Sequence, residues 1–253
     1  MYGPERQRLI VTEARRAGRV EVTALAAQLD VTTETVRRDL TALERQGLLR
    51  RVHGGAIPVE RLGFEPGLDA RASSQTDQKE RIAKAALAEL PHEGAILIDA
   101  GTTTARLAEL IPGDRELTVI TNSLPIAMTL SVRPSLTVLM IGGRIRGRTL
   151  AAVDTWAQQA LRDTFVDLAF VGTNGISVRR GLTTPDQTEA ATKAAMIAAA
   201  RRTVVLADHT KLGVDHLARF GSLDDIDTFI TDSDADAELA ADLEAAGPTV
   251  VRA

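Results

Sequence analysis

The stretch Val31-Thr-Thr-Glu-Thr-Val36-Arg-Arg-Asp-Leu40-Thr-Ala-Leu-Glu-Arg45-Gln-Gly-Leu-Leu-Arg50-Arg-Val-His-Gly-Gly-Ala56 encodes a helix, its stop and a hairpin. Val36, Leu40 and Leu43 recur at i, i+4 and i+7, the spacing of one buried helical face. Thr32 stands where a hydroxyl can accept a free first-turn N–H. Gly47 stands where a left-handed residue ends a helix. The opposite face shows Thr33, Thr35, Arg37, Arg38, Thr41 and Arg45. Short hydroxyls followed by paired arginines suit a helix whose N-terminal end enters a DNA major groove. There Arg can pair with guanine O6 and N7, and Thr can meet a base edge or a thymine methyl. Beyond Gly47, two short apolar runs flank Gly54-Gly55, which can supply the positive φ angles of a tight hairpin turn. On that hairpin, Arg50 and Arg51 are expected to meet the sugar-phosphate backbone or the minor groove.

Upstream, residues 4–17 read as a helix with Leu9, Ile10 and Ala14 on one face. Thr23 is expected to cap a short helix from Ala24 to Leu29, and Asp30-Val31 to turn the chain into the Arg-bearing helix. The order helix, capped short helix, tight turn, Arg-rich helix, Gly-Gly hairpin is that of a winged helix-turn-helix. A small helical domain with a solvated arginine face, and a winged helix that binds protein, share the same local pattern.

Charge supports the nucleic-acid reading. Residues 1–61 carry eleven Arg, no Lys and eight acids, a net of +3, so the remainder of a chain of net charge −4 carries −7. A basic end on an acidic body suits a protein that meets phosphate at one end. The chain has 253 residues, room for a small domain and a medium one. Hydrophobic residues make up 44% and aromatics 3%, so the core must be built from Ala, Val, Leu and Ile. No apolar run reaches the roughly 18 residues of a membrane span. The start Met1-Tyr2-Gly3-Pro4-Glu5-Arg6 has no apolar core of a secretory signal. Cysteine is absent, which removes disulfides and thiolate metal sites and fits a cytoplasmic location. The four histidines are not spaced as a metal site. No metal, cofactor or membrane partner is expected.

The segment Thr35-Val36-Arg37-Arg38-Asp39-Leu40, with the Gly47 and Gly54-Gly55 spacing, resembles the DNA-binding signature of the DeoR family of bacterial repressors. The resemblance runs over essentially the whole chain. It implies a repressor of sugar metabolism that a phosphorylated sugar releases from DNA. Reading two DNA half-sites implies a homo-oligomer, a dimer or a tetramer.

The expected layout is a winged helix over 1–58, a linker over 59–76 with Pro and Gly, and a larger α/β domain over 77–253. In the last, a helix from Asp77 to Leu90 precedes strands at 95–99, 117–121, 136–141, 166–172, 203–207 and 228–231, with helices near 103–110, 124–131, 154–162, 186–200 and 236–245. This alternation implies a mostly parallel sheet covered by helices. In such sheets ligands bind at the C-terminal strand ends. Those ends are polar here: Asp99-Ala100-Gly101-Thr102-Thr103-Thr104, then Asn122, Gly142-Gly143-Arg144, Asn174, Glu189 with Lys193 one helical turn on, and Asp208 with Lys211. Amides, hydroxyls, carboxylates and lysines on one edge match a polyol phosphate. Glu189 and Lys193 also have the spacing of a surface ion pair, and Gly101–Thr104 that of an ordinary helix cap. Neither a Walker loop nor a Gly-x-Gly-x-x-Gly fingerprint is present. A carboxylate beside a lysine also fits a sugar-phosphate isomerase, although such an enzyme has no use for a winged helix.

By resemblance, the larger domain is the DeoR-type effector domain, which is related to ribose-5-phosphate isomerase. The Gly101–Thr104 loop would then hold phosphate, and Asp99, Asn122, Asn174, Glu189, Lys193, Asp208 and Lys211 would surround the sugar. Met-Tyr-Gly-Pro-Glu-Arg-Gln at the start, Phe64-Glu65-Pro66 and Asp232-Ser233 resemble fructose-operon repressors of high-GC Gram-positive bacteria. This makes fructose 1-phosphate the expected effector. The pocket residues do not separate it from fructose 1,6-bisphosphate, tagatose phosphates or glycerol phosphates.

Overall fold

The computed structural model describes residues 2–17, 19–58 and 65–253, and the chain divides into two compact units between Pro66 and Gly67. The first contains α1 (Gly3–Ala17), β1 (Val20–Glu21), α2 (Val22–Gln28), α3 (Thr33–Arg45), β2 (Leu49–Val52) and β3 (Gly55–Pro58). Val36, Leu40 and Leu43 of α3 are buried with Ile10, Val11 and Ala14 of α1 and Leu25 of α2. Leu9, expected on the buried face, is 45% exposed, and Val11 takes its place. Thr32 caps α3 by accepting from the Thr35 amide at 3.2 Å. Asp30 (φ 50°) turns the chain, and Gly47 (φ 71°) ends the helix. Thr23 does not cap α2. That helix starts two residues earlier, from Glu21, because β1 fixes the chain there.

The wing is a three-stranded antiparallel sheet in the order β1-β3-β2, with β1 a strand too short for any sequence period. The two glycines of the hairpin do different things. Gly54 (φ 75°) makes the turn. Gly55 is required because a Cβ there would lie 1.9 Å from the Val20 carbonyl oxygen on β1.

The second unit begins with α4 (Leu68–Ala72), inside the stretch expected as linker, and α5 (Thr76–Ala86), which a 3-10 turn extends to Glu89. There follow β4 (Glu93–Ile98), α6 (Thr102–Leu110), β5 (Glu116–Thr121), α7 (Leu124–Leu130), β6 (Leu136–Met140), the hairpin β7 (Arg144–Arg146) and β8 (Ala151–Val153), and α8 (Thr155–Arg162). Next are β9 (Val166–Gly172), β10 (Gly175–Ser177), β11 (Gly181–Thr184), α9 (Gln187–Ala198), β12 (Ala200–Leu206), β13 (Ala218–Gly221), β14 (Thr228–Thr231), α10 (Ala237–Ala245) and β15 (Thr249–Arg252). The residues expected as linker at 59–64 lie outside the described ones.

The main sheet has seven parallel strands in the order β15-β14-β12-β9-β4-β5-β6. Alternate strand residues enter opposite cores, as a strand of period two must when both faces are covered. Ile96, Ile98, Leu168 and Phe170 pack with α5, α6 and α7. Leu97, Ala169, Val171 and Val205 pack with α8 and α9. The chain runs outward from β4 to β6, then returns to place β9 on the other side of β4. Such a reversal opens a crevice at the carboxyl ends of the two central strands, where doubly wound sheets bind ligands. The small antiparallel sheet β10-β11-β13 was not anticipated. Its strands are three or four residues long and carry no alternation of their own.

Candidate functional site

The first unit presents the exposed arginines Arg37, Arg38, Arg45 and Arg50. Arg37 lies 3.6 Å from Glu34, with both side chains more than half exposed. Thr33, Thr35 and Thr41 are half-buried on the same helix. The Thr35 hydroxyl shares a 2.9 Å hydrogen bond with the cap Thr32, and Thr41 donates back to the Arg37 carbonyl at 2.8 Å. Arg51, expected to reach outward from the wing, folds onto α3 instead. Its Nη1 donates to Thr41 Oγ1 at 3.1 Å and to the Arg37 carbonyl at 3.4 Å, and its amide donates to Glu44 at 2.8 Å. Arg51 thus fixes the wing against the helix. Asp39, buried behind this face, accepts from Arg6 at 2.5 Å and Gln7 at 3.0 Å and ties α1 to α3.

In the second unit, a pocket opens at the crevice between the β4 and β9 ends. It is lined by Gly101, Thr102, Thr103 and Thr104, by Asn174, Glu189 and Lys193, by Asp208 and Lys211, and by Arg71, Ser74 and Lys79. The first nine belong to the expected set. Helix α6 starts here from Gly101 with no side-chain cap, so its first-turn amides are not taken by a capping side chain. Such a start attracts an anion. Thr104 turns inward and donates to the carbonyls of Asp99 and Gly101 at 2.7 and 3.1 Å, which shapes the loop.

Two expected residues do not line the pocket. Asp99, 1% exposed, receives the ammonium of Lys193 and the Gly172 amide on the same carboxylate oxygen. It supports the floor of the crevice. Asn122 accepts from the Ala100 amide at 3.0 Å and donates to the Ala152 carbonyl at 3.1 Å, so it holds the β4 loop to β8. Glu189 and Lys193 are not a surface pair. Both are 5% exposed. Lys193 turns to Asp99, while Glu189 accepts from Thr149 at 2.5 Å and from Arg146 at 3.4 Å. Asn174 accepts from Thr184 at 3.0 Å.

Lys79, Arg71 and Ser74 were missed. Lys79 sits on the apolar stripe of α5 with Ile82, Ala83 and Ala86, and a lysine at a core position was the available signal. It is 4% exposed and donates to the carbonyls of Arg71 and Ser74, the latter at 2.7 Å. Burial lowers its pKa to about 8, against the pull of Asp208 and with the push of Lys211. Asp208 is buried too, which opposes its ionisation. Lys211, the Thr210 hydroxyl and Lys79 outweigh that and hold its carboxyl below the ordinary value. The pocket wall is therefore charged at neutral pH.

A second cluster lies beside it. His209 Nδ1 is 2.8 Å from Asp232, and His209, Asp232 and Asp234 have ligating atoms within 4.8 Å of one another. Arg81 lies 3.3 Å from Asp234 and 3.9 Å from Asp232, so a protein cation already serves these carboxylates. Among the described residues no helix is long and apolar enough to cross a membrane.

Comparison with known proteins agrees in both units. Residues 6–61 match the DeoR-like helix-turn-helix domain and residues 74–233 the DeoR C terminal sensor domain. The chain is 39% identical over 251 residues to the HTH-type transcriptional regulator GlpR of Haloferax volcanii, covering 99% of this chain and 98% of that protein. It is 32% identical to the uncharacterized HTH-type transcriptional regulator FruR of Bacillus subtilis, over 92% and 93% of the two chains. It is 30% identical to the glycerol-3-phosphate regulon repressor of Escherichia coli, over 92% of each. Among solved structures, ribose 5-phosphate isomerase A of Methanocaldococcus jannaschii overlaps 55% of each chain at TM-score 0.40 and 20% identity. Both domain matches fall on the units built above, and the relatives span the chain nearly end to end: the protein belongs to the DeoR family of helix-turn-helix transcriptional regulators.

Proposed function

We propose that the chain is a DNA-binding repressor of a sugar-utilisation operon, and that a phosphorylated sugar releases it. Fructose is the favoured sugar and fructose 1-phosphate the favoured effector. The observation that carries the effector class is the start of α6, without a side-chain cap, facing one pocket with Lys79 and Lys211. Phosphate seeks such amides and ammonium groups. Carboxylates and an amide in the same pocket, Asp208, Glu189 and Asn174, suit sugar hydroxyls. In the first unit, Arg37, Arg38 and Arg50 would meet DNA, with Thr33, Thr35 and Thr41 at the base edges. Arg51 would act by holding the wing to the helix.

Release follows from linkage. An effector that binds the DNA-incompetent arrangement more tightly lowers operator affinity by the same factor. Two copies of the winged helix held at a fixed spacing would read the operator, which calls for a homo-oligomer, and the work belongs in the cytoplasm. The isomerase reading fares worse on the same geometry, because Asp99 holds Lys193 and the hairpin residues Thr149 and Arg146 hold Glu189.

Calorimetric titration of sugar phosphates into the full chain tests the pocket. Wild type should bind one of them at a single site per chain, and Lys211→Ala should weaken that binding at least about tenfold, the loss of one charge-assisted bond. Undiminished binding in the variant would remove Lys211 from the site.

A further inference from the structure

The charges of the pocket are sorted by the layer that delivers them. The layer of α5 and α6 brings the first-turn amides of α6 and the Lys79 ammonium. Lys211 stands near them, close enough to Asp208 and Lys79 to shift both. Asp208 offsets one of these two cations, and the helix N-terminus adds about half a positive charge. This side is positive.

The opposite layer brings α9. Its Glu189 lines the pocket, and Asp186 caps the helix by accepting from the amides of Thr188 and Glu189 at 2.9 and 3.0 Å. One guanidinium from the β7–β8 hairpin reaches both acids, with Arg146 3.2 Å from Asp186 and 3.4 Å from Glu189. Lys193 adds nothing to the balance, since Asp99 neutralises it. This side presents carboxylates to the pocket where the other presents ammonium groups and free helix amides.

We propose that the pocket is polarised for a polyol with a single phosphate and excludes sugars phosphorylated at both ends. The phosphate lies against α6, Lys79 and Lys211, and the hydroxyl end lies against Glu189. A hydroxyl can donate to that carboxylate. A second phosphate is mostly doubly ionised at neutral pH and meets a like charge on the buried Glu189 carboxylate, where repulsion is large. This inference rests on the sugar-phosphate reading above and narrows its class.

Calorimetry on the full chain decides it, with fructose 1-phosphate, fructose 6-phosphate, tagatose 6-phosphate and glycerol 3-phosphate set against fructose 1,6-bisphosphate and tagatose 1,6-bisphosphate. The best monophosphate should bind at least about tenfold tighter than either bisphosphate. Glu189→Gln keeps an acceptor for Thr149 but removes the charge, and should narrow the ratio to below about threefold. Arg146→Met removes a cation that both acids share and should widen it. A bisphosphate that binds wild type as tightly as any monophosphate overturns the proposal and spares the broader reading, as does a ratio that neither variant moves. Binding of none of the six would overturn both.

Discussion

Replacing Asp99 by Asn should damage the second unit more than any change of one atom elsewhere in it. Asp99 and Lys193 are 1% and 5% exposed, and the ammonium has few other companions: the Gly172 carbonyl at 2.9 Å and the Phe220 ring, whose centroid is 5.5 Å away. Asparagine can still accept from Lys193 and the Gly172 amide, because both use one carboxylate oxygen in the wild type. What disappears is the compensating charge. Removing one partner of a buried ion pair costs about 3–5 kcal/mol, and the retained hydrogen bonds place Asp99→Asn near about 3 kcal/mol. For a unit of this size that lowers Tm by about 6–12 °C. Urea unfolding followed by far-ultraviolet circular dichroism, resolved for the second unit's transition, gives the number. Lys193→Met should cost a similar amount by stranding the carboxylate. The double variant should cost about 2–3 kcal/mol less than the sum, since each partner's loss removes the other's penalty. A cost below about 1 kcal/mol for Asp99→Asn, or strict additivity, would refute the claim that this pair holds the crevice together.

Further expectations follow from single residues. Arg37→Ala should weaken operator binding ten- to a hundredfold, about 1–3 kcal/mol, while effector affinity measured by calorimetry stays unchanged. Lys79 is protonated below its pKa of about 8, so sugar-phosphate affinity should fall as pH rises through that value, by up to about tenfold per unit, and Lys79→Met should flatten the profile. The same depressed pKa means that between about pH 8 and the ordinary lysine value the unfolded chain holds a proton the folded chain lacks. Stability should therefore rise with pH across that window in wild type and not in Lys79→Met, as urea midpoints would show. Gly55→Ala should destabilise the first unit more than Gly54→Ala, even though only Gly54 has a positive φ. A Cβ on Gly54 meets nothing within 4 Å and costs about 1–2 kcal/mol of backbone strain, whereas one on Gly55 expels β1.

The winged helix was the most legible part of the sequence because its signals are local. A threonine cap, a three-residue apolar stripe and a left-handed glycine sit within one helix length and report on one another. What escaped was set at a distance. Arg51 stands on the wing by sequence, yet its guanidinium finds Thr41 and the Arg37 carbonyl on α3. Helical spacing pairs Lys193 with Glu189, but the fold offers Lys193 a buried partner 94 residues away and gives Glu189 to Thr149. Six of the seven strands of the main sheet were legible as short apolar runs between helices, and β15, as short as β14, was not read. The pocket's sequence-readable part consists of the residues that follow strand ends, in loops and on α6 and α9. The rest, Arg71, Ser74 and Lys79, comes from α4, α5 and the turn between them, ahead of the sheet, and the lysine hides on an apolar face.

The central claim is that one chain reads DNA with its first unit and yields it to a sugar phosphate bound in its second. Fluorescence anisotropy on a labelled fragment of the gene's own upstream region tests this most directly. The fragment is titrated with protein, then with fructose 1-phosphate, fructose 6-phosphate, fructose 1,6-bisphosphate and unphosphorylated fructose. Salt-sensitive binding that a monophosphate reverses and fructose does not is the expected result. Binding that no phosphorylated sugar reverses, or no binding at low salt, would contradict it.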